Sequence, residues 1–414
     1  LIIKKLNTLF ISYDGMTDSL GQSQVLPYLI GLSKNGYSIS IISCEKESAV
    51  KKNGESIASL LAQHQIEWHP LLYTKQPPVL STLWDIYQIK RKVKALHQVK
   101  NFCLVHCRSY ITSLVGQSFC KKNKLPFVFD MRGFWADERV EGNIWNLKNP
   151  LFSRIYRYFK KKEIEFVNEA SAIVSLTHAG KREIQTWKIK ESQKNKIYVI
   201  PCSADFDLFQ IPSAQDKIAA RERIGFSESD FVLCYLGSLG TWYLLPEMLA
   251  FFKCLQKEIK QAKFYILTAD NKQWVIEKAL QAGIAADAIY VESAQRKEVP
   301  KRLAAADWGI SFIKPSFSKT ASSPTKMGEM LAMGIPLLVN NKVGDVAEIC
   351  EQTQGGIWFE NFTEDAFKDA IAKMKNEYAK SKVAIRASSF KVYGLEAAVH
   401  TYVQIYQNCL SQGK

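Results

Sequence analysis

Residues 309–339 read GISFI-KPSFSKTASSPTKMGEMLAMGIP-LLV, in which an apolar strand, a polar loop, a helix and a second apolar strand follow one another. Ser323, Pro324 and Thr325 predict the start of the helix, with a hydroxyl cap and a proline in the first turn. Gly334 is placed to end that helix. A strand, a helix and a second strand in this order form a βαβ unit, which predicts a parallel sheet covered by helices.

The same alternation extends from this unit over almost the whole chain. Six further strands are predicted in the first half, at Thr8–Tyr13, Ser38–Ser43, Phe102–His106, Phe127–Asp130, Ala172–Leu176 and Lys196–Ile200. The second half repeats the pattern, at Phe231–Leu236, Lys263–Thr268, Ala288–Val291, Gly309–Ile313, Leu337–Val339 and Gly356–Phe359. Segments with helical spacing separate these strands. The sequence therefore predicts an α/β protein with two doubly wound, Rossmann-like domains.

The predicted domain boundary lies near residues 202–214, where a proline and a polar stretch interrupt the alternation. We assign residues 1–205 to a first domain, residues 206–392 to a second, and residues 393–414 to a final helix that crosses back to the first domain. Ligands of such sheets bind outside the carboxyl ends of the strands, so a cleft between the two domains is the expected place for chemistry.

Composition narrows the classes of protein. The 414 residues are 47% hydrophobic and 23% charged, which is typical of globular domains. No uncharged apolar run reaches the roughly 18–20 residues that span a bilayer, so a soluble or peripheral protein is predicted. The nine cysteines include no CxxC pair and no histidine cluster accompanies them. This pattern indicates a reducing, cytoplasmic location and disfavours a metal site.

Positive charge is concentrated in the first half. Residues 1–200 carry 30 Lys and Arg against 16 Asp and Glu, whereas residues 201–414 carry 25 against 24. An anionic partner of the first domain is therefore expected. Within Leu151–Phe166, the basic residues Arg154, Arg157 and Lys160–Lys162 alternate with aromatic ones, which suits a helix on an anionic membrane surface. A solvated helix face with an aromatic core stripe explains the segment equally well.

The helix after Pro324 is the main candidate for a ligand site. Its N-terminus would present unpaired N–H groups and partial positive charge to an anion, and Lys326 adds a full charge. Glu329 follows on the same helical face. A cation for a diphosphate and a carboxylate for ribose hydroxyls suit a nucleoside diphosphate. A capped surface helix with an internal Lys–Glu pair is the alternative.

The residues of this helix, continued by LLVN at 337–340 and VGDV at 343–346, resemble the nucleotide-sugar helix of retaining glycosyltransferases of family 4, which have the GT-B fold. YDGMTDSLGQSQ at 13–24, FDMRGFWADE at 129–138 and VIPCSAD at 199–205 resemble further segments of that family. The resemblance implies transfer from a nucleotide-diphosphate sugar with retention of configuration, without a cofactor or bound metal. Lys326 is then the main neutraliser of the diphosphate, and Ser323, Thr325 and Glu329 bind the donor.

The resemblance has two departures. Many members carry two glutamates separated by seven residues, and the first of them aligns with Ala321 here. A histidine common in the acceptor domain aligns with Arg132, so Asp130 or Arg132 is considered as catalytic in its place. Two loops also resemble donor-binding loops: one contains Gly237 and Ser238, and the other ends at Gly21.

His106 and Arg108 end a predicted strand and are candidates for binding the acceptor. For a lone histidine at the end of a strand, hydrogen bonding inside the fold is the more common explanation.

We therefore expect a glycosyltransferase that moves a sugar from a nucleotide-diphosphate sugar to a glycan or lipid-linked acceptor in bacterial-type cell-surface polysaccharide synthesis. A location in the cytoplasm, on the inner face of the membrane, follows as a hypothesis. A nucleotide-sugar epimerase or a phosphorylase of similar architecture is the first alternative. A nucleic-acid-binding protein is disfavoured, because no motif of that class is present.

Overall fold

The computed structural model describes residues 5–376 and 381–411. The chain forms two compact units that divide at Pro201/Cys202 and again at Gly394/Leu395. The first and last segments of the chain form unit 1, and Cys202–Gly394 forms unit 2. The sequence had placed these divisions after residues 205 and 392, within a few residues of the observed positions.

Unit 1 contains a seven-stranded parallel sheet in the order β3-β2-β1-β4-β5-β6-β7. The strands are β1 Leu6–Ser12, β2 Tyr37–Glu45, β3 Glu67–Leu72, β4 Leu104–Arg108, β5 Phe127–Asp130, β6 Ala172–Ser175 and β7 Ile197–Val199. Its helices are α1 Ser19–Gln24, α2 Leu26–Lys34, α3 Glu47–Gln63, α4 Leu80–Lys100, α5 Ser109–Asn123, α6 Trp135–Glu141, α7 Pro150–Glu169, α8 His178–Thr186, α9 Glu191–Lys194 and, from the chain's end, α18 Leu395–Ser411.

Unit 2 contains a six-stranded parallel sheet in the order β10-β9-β8-β11-β12-β13. The strands are β8 Phe231–Leu236, β9 Ala262–Leu267, β10 Ile289–Glu292, β11 Trp308–Ser311, β12 Leu337–Asn340 and β13 Gly356–Phe359. The helices are α10 Ala214–Glu222, α11 Leu245–Glu258, α12 Lys272–Gln281, α13 Val299–Leu303, α14 Thr325–Ala332, α15 Val346–Thr353, α16 Glu364–Asn376 and α17 Lys382–Tyr393.

Both sheets reverse their strand order next to the first strand of the unit, at β1/β4 and at β8/β11. This is the doubly wound topology in which loops at the carboxyl ends of the strands flank a crevice. The fold class predicted from the sequence is therefore confirmed. The central strands are apolar because helices cover both faces of a parallel sheet; Leu9, Ile11 and Ile41, for example, are fully buried.

Strand β3 was not predicted from the sequence. It is an edge strand that pairs only with β2 within the described sheet, and most of its residues are partly exposed. Pro70 lies inside it, which an edge strand tolerates because one side needs no N–H donors. The proline and the lack of an apolar run removed the usual strand signal.

Helix α18 completes the core of unit 1. Ala398, Tyr402, Ile405, Tyr406 and Cys409 recur at helical spacing and are buried. The helix packs on α2 and β4, and the ring of Tyr406 lies edge-on to that of Tyr37 at 5.0 Å between centroids. Unit 1 therefore closes its hydrophobic core with residues from both ends of the chain. Among the described helices, none combines the length and apolar character needed to cross a bilayer.

The burial of α18 gives a test of this packing. Ile405→Ala removes a fully buried side chain and should lower the free energy of unfolding of unit 1 by about 2–5 kcal/mol. Gln407→Ala changes an exposed residue of the same helix and should stay within about 0.5 kcal/mol of the wild type. Urea denaturation followed by circular dichroism measures both. Equal effects of the two substitutions would show that α18 is not part of the core.

Candidate active site

Helix α14 follows β11 across a loop at the carboxyl end of the sheet of unit 2. Its N-cap residue is Pro324, without a side-chain cap. The predicted hydroxyl cap by Ser323 is wrong: its Oγ instead accepts a hydrogen bond from the backbone N–H of Cys202, at 3.1 Å. Thr325 is the first helical residue, so the helix begins one residue later than the cap would require. Because the N-cap residue makes no side-chain hydrogen bond to the first turn, the N–H groups of that turn can donate to an anion.

Lys326 is buried in the first turn of α14 and faces aromatic rings. Its Nζ donates a hydrogen bond to Tyr235 Oη at 2.8 Å. The same nitrogen lies 4.2 Å from the ring centroid of Tyr235 and 3.7 Å from that of Tyr243. Burial lowers the pKa of Lys326 well below its ordinary value, although Glu329 opposes that shift. The ammonium thus rests on π faces and a neutral hydroxyl, where a bound anion would stabilise its charged form.

Gly237 lies directly above this ammonium. Its φ is +118°, and a Cβ at this position would stand 2.9 Å from Lys326 Nζ. The glycine is therefore needed both for the left-handed backbone and for the close approach of the loop. The carbonyl of Ser238, the next residue, accepts a hydrogen bond from Tyr235 Oη. The structure therefore brings Gly237, Ser238 and Lys326 together around one tyrosine.

Glu329 lies one turn further along α14 and is also buried. Its Oε1 pairs with the guanidinium of Arg296, which stacks on Phe209 with 4.8 Å between Cζ and the ring centroid. Burial raises the pKa of Glu329, while Arg296 and Lys326 act to lower it. No ion pair joins Lys326 and Glu329 in the described structure, where each has its own partner. The alternative of an internal Lys–Glu pair on a surface helix is therefore wrong.

The sequence analysis missed Arg296, Tyr235 and Tyr243. Arg296 belongs to the polar segment QRKE at 295–298, which has the pattern of a solvated helix start. Tyr235 reads as an ordinary aromatic residue of a strand. No spacing rule relates these positions to α14, because the contacts arise only when separate loops meet at one edge of the sheet.

Unit 1 has its own cluster of charges at the carboxyl ends of β4 and β5. Asp130 is buried, and its carboxylate oxygens lie 3.9 Å from Nη1 of Arg108 and 3.9 Å from Nη1 of Arg132. Arg108 also pairs through Nε with Asp14, at 3.0 Å. Burial raises the pKa of Asp130, but Arg132, His106 and Arg108 outweigh burial and hold that pKa below its usual range. An ionised Asp130 is the result.

Arg132 has φ of +56° and is followed by Gly133 with φ of +110°. An arginine in the left-handed region costs conformational energy, which is common at functional sites. The strained turn brings the guanidinium back toward Asp130 after β5 has ended. The structure therefore brings Arg108, a predicted acceptor-binding residue, together with Asp130 and Arg132, which the sequence analysis considered as catalytic.

His106 does not line an exposed surface of unit 1. It is 1% exposed, and its Nδ1 forms a hydrogen bond with Tyr406 Oη of α18, at 2.9 Å. Its Nε2 lies 3.7 Å from Asp130, and burial lowers its pKa, so the imidazole is neutral. The prediction that His106 binds the acceptor is therefore corrected: the strand ends two residues later, at Arg108, and His106 faces the core below α18.

Gly21 lies in α1 and packs against the loop that precedes this helix. A Cβ there would overlap the carbonyl oxygen of Gly15 and the Cα of Met16. Glu45, buried in β2, holds the loop by accepting hydrogen bonds from the N–H groups of Met16 at 2.7 Å and Thr17 at 3.1 Å. The close approach that the glycine allows is thus between α1 and the preceding loop. Contact of Gly21 with a donor stays a prediction.

Metal ligation has no evident site in the described residues, where no three His, Cys, Asp or Glu side chains are grouped to hold an ion. The nine cysteines are free thiols, and seven of them are buried.

Comparison with known proteins assigns the class. Glycosyltransferase Family 4 matches residues 25–208, and Glycosyl transferases group 1 matches residues 216–389. A glycosyltransferase structure from Rickettsia africae is 15% identical, covers 98% of this chain and 99% of its own, and has a TM-score of 0.73. Sucrose-phosphate synthase from Thermosynechococcus elongatus is 14% identical, with 99% and 100% coverage and a TM-score of 0.73. No curated protein sequence matches the chain.

A third structure is Anabaena Alr3699/HepE in complex with UDP and glucose. It is 14% identical, covers 97% of this chain and 99% of its own, and has a TM-score of 0.68. Two doubly wound units with these neighbours define the GT-B fold. Because the two family matches together span most of the sequence, the chain belongs to the group 1, family 4 glycosyltransferases and is an enzyme that transfers glycosyl groups.

Gly237→Ala tests the fit of the loop over Lys326. An alanine at φ of +118° is strained, and its methyl group would displace the ammonium, so the dissociation constant for nucleoside diphosphate should rise about tenfold. Gly240→Ala is the matched control, because an added Cβ there meets no atom within 4 Å. Calorimetry with UDP, GDP and ADP measures both variants. A Gly237→Ala protein that binds as tightly as Gly240→Ala would contradict the arrangement.

The pH dependence of nucleotide binding tests the pairing of Glu329 with Arg296. A raised folded-state pKa means that Glu329 takes up its proton at a higher pH than an ordinary glutamate, so affinity should fall early on acidification. Arg296→Gln removes a charge that lowers this pKa and should move the loss of affinity to still higher pH. Arg296→Lys keeps the charge and should shift it less. Identical pH profiles of wild type and Arg296→Gln would argue against the pairing.

Proposed function

We propose that this enzyme transfers a sugar, with retention of anomeric configuration, from a nucleotide-diphosphate sugar to a glycan or lipid-linked acceptor in the synthesis of a bacterial-type cell-surface polysaccharide. The observation that carries the proposal is the buried ammonium of Lys326 beneath Gly237, one helical turn from the buried carboxylate of Glu329. These groups match the two ends of a nucleoside diphosphate: Lys326 suits the diphosphate and Glu329 suits the ribose.

The donor side works mainly by electrostatics. When the glycosidic bond of the donor breaks, its electron pair leaves on the diphosphate, where negative charge grows. Lys326 and the uncapped N-terminus of α14 stabilise that charge from fixed positions in a site with little water. The rings of Tyr235 and Tyr243 hold the ammonium in place before the donor binds. Since Lys326 supplies the positive charge, we expect transfer to proceed without a bound metal.

Glu329 fixes the nucleoside by accepting hydrogen bonds from the ribose hydroxyls. Arg296 orients its carboxylate and favours its ionised form. The Anabaena structure, solved with UDP and glucose, supports UDP as the first nucleotide to test. The serine hydroxyl of Ser323 is engaged by Cys202, so among the predicted donor-binding residues it is the weakest.

The acceptor side rests on the charge cluster of unit 1. Asp130, Arg132 and Arg108 lie at the carboxyl ends of β4 and β5, where acceptors of such sheets bind. We propose that Asp130 and Arg132 contact the reacting sugars in the role of the family's histidine. No side chain is assigned as a covalent nucleophile. The acceptor hydroxyl forms the new bond to the anomeric carbon, and its proton passes to an oxygen of the departing phosphate.

We also propose that the enzyme works at the cytoplasmic face of an anionic membrane. The excess of Lys and Arg over Asp and Glu in residues 1–200 supports this location, because basic surfaces are attracted to anionic lipids.

Two substitutions in α14 test the donor site. Lys326→Ala should lower kcat about a hundredfold or more, beyond its effect on donor affinity, because its charge acts on the leaving group. Glu329→Ala should weaken nucleotide binding by about 1.5–3 kcal/mol. Steady-state kinetics with and without acceptor, together with calorimetry, measure both effects. Turnover of the donor to an epimer without acceptor, or only with inorganic phosphate, would instead establish an epimerase or a phosphorylase.

A further inference from the structure

Helix α4 carries an apolar face that nothing in unit 1 covers. Leu80, Leu83, Trp84 and Tyr87 recur at helical spacing and are 63%, 55%, 52% and 49% exposed. The opposite face of α4 packs on the sheet and on α5 through Ser81, Asp85, Ile89 and Val93. Leu72 and Tyr73, at the end of β3, add two more exposed apolar side chains. A monomeric protein rarely exposes so many large apolar groups in one short segment without a partner.

Basic residues continue the same face toward the C-terminus of α4. Lys90, Arg91 and Lys94 are exposed one to two turns beyond Tyr87, and Lys75 lies in the loop before the helix. Residues 72–100 contain a single acidic residue, Asp85. That carboxylate is buried and accepts a hydrogen bond from Tyr13 Oη at 2.8 Å. The exposed surface is therefore apolar and aromatic at one end, cationic at the other, and without an acidic side chain.

Helix α7, the segment that the sequence favours for membrane contact, has a different surface. Lys160 pairs with Asp137 and Glu163, and Lys162 pairs with Glu165. Only Arg154, Arg157 and Lys161 of its basic residues are exposed. Two of the five basic side chains of α7 are thus paired with carboxylates within the protein.

We propose that residues 72–94, which we call the α4 surface, dock unit 1 on an anionic lipid bilayer. Leu80, Leu83 and Trp84 enter the boundary between headgroups and acyl chains, while Lys90, Arg91 and Lys94 meet anionic headgroups. An interfacial helix has this division of apolar and cationic residues. The inference rests on the proposed membrane location and names the surface responsible. A bilayer is favoured over a protein partner because the surface combines bare apolar groups with unpaired cations over a helix about 30 Å long.

The α4 surface is joined to the candidate acceptor site within unit 1. Asp85 of α4 binds the hydroxyl of Tyr13, and the next residue, Asp14, pairs with Arg108 beside Asp130. Docking through α4 would therefore bring the charged loops of unit 1 close to the membrane surface. A lipid-linked acceptor could then reach them without leaving the bilayer.

Sedimentation of the full chain with vesicles tests the proposal. The vesicles contain phosphatidylcholine alone or a mixture with phosphatidylglycerol, at low and high salt. One variant combines Leu83→Ser, Trp84→Ser and Tyr87→Ser, and a second combines Lys90→Gln, Arg91→Gln and Lys94→Gln. The matched control, Arg154→Gln, Arg157→Gln and Lys161→Gln, removes the same charge from exposed positions of α7. Melting curves and calorimetry with UDP, GDP and ADP confirm that each protein remains folded and binds nucleotide.

The wild type should bind vesicles with phosphatidylglycerol, and salt should weaken that binding. The basic variant of α4 should lose about a hundredfold in partition coefficient, at about fivefold for each charge, and the apolar variant about tenfold or more. The α7 control should lose much less. Lipids brominated in the acyl chain should quench wild-type tryptophan fluorescence, and Trp84→Phe should bind vesicles yet lose part of that quenching.

Three results would overturn the proposal. The first is that the wild type does not bind anionic vesicles. The second is that the α4 basic variant and the α7 control lose vesicle binding equally. The third is that the protein does not bind vesicles but self-associates, and that only the apolar variant abolishes this self-association. Transfer to a soluble acceptor distinguishes the two levels of inference. If the protein transfers sugar but does not bind vesicles, the proposed activity is supported and the proposal for the α4 surface is wrong. If it binds vesicles through α4 but does not transfer sugar, the α4 proposal is supported and the proposed activity is wrong.

Discussion

The burial of two opposite charges one turn apart on α14 is the constraint on which the second unit depends. An ammonium that is buried loses most of its hydration. For Lys326, contacts with two aromatic rings and one hydroxyl replace part of the lost stabilisation. Neither partner is anionic. The site is therefore most stable with a negative ligand, and the surrounding features agree with this: a loop glycine at positive φ leaves room above the ammonium, and no side chain caps the helix. Glu329 differs, because the charge of Arg296 opposes the effect of burial, which raises the pKa of this carboxyl.

Unit 1 also stabilises a buried charge, but that charge is negative. Its buried charge is the carboxylate of Asp130, which lies near two arginines and a neutral histidine. Helix α18 supports the cluster, since Tyr406 orients His106 and Tyr402 Oη donates to Asp130 at 3.3 Å. The last helix of the chain thus has a second role besides filling the core. It supplies the hydroxyl groups that satisfy polar atoms beneath the charged loops, a contribution that hydrophobic periodicity alone does not reveal.

The sequence predicted what depends on local pattern. Strands at Phe127–Asp130, Phe231–Leu236 and Gly356–Phe359 have the predicted bounds, because short apolar runs between turn residues are specific to buried parallel strands. Lys326 and Glu329 were found because they share one helix. Contacts between separate loops were not found: Arg296 meets Glu329 only through the order of strands in the folded sheet. Edge strand β3 was missed because it is not a continuous apolar run and contains a proline. The hydroxyl of Ser323 was predicted to cap α14, but it accepts a hydrogen bond from the backbone N–H of Cys202 instead.

Charge counted along a sequence is a weaker guide to a surface than charge that the fold leaves unpaired. Both α4 and α7 contribute basic residues to the excess in the first half, and the sequence analysis favours α7 for membrane contact because basic and aromatic residues alternate there. In the folded unit, acidic neighbours bind Lys160 and Lys162, and the ring of Phe159 is buried. On α4, Lys100 pairs with Glu67 and the single acidic residue turns inward to Tyr13, so Lys90, Arg91 and Lys94 keep their attraction for an anionic surface. Whether a cation of α4 or α7 has a carboxylate partner depends on which face of each helix packs on the sheet. The sequence alone does not show this, because the ion pairs form only in the folded unit.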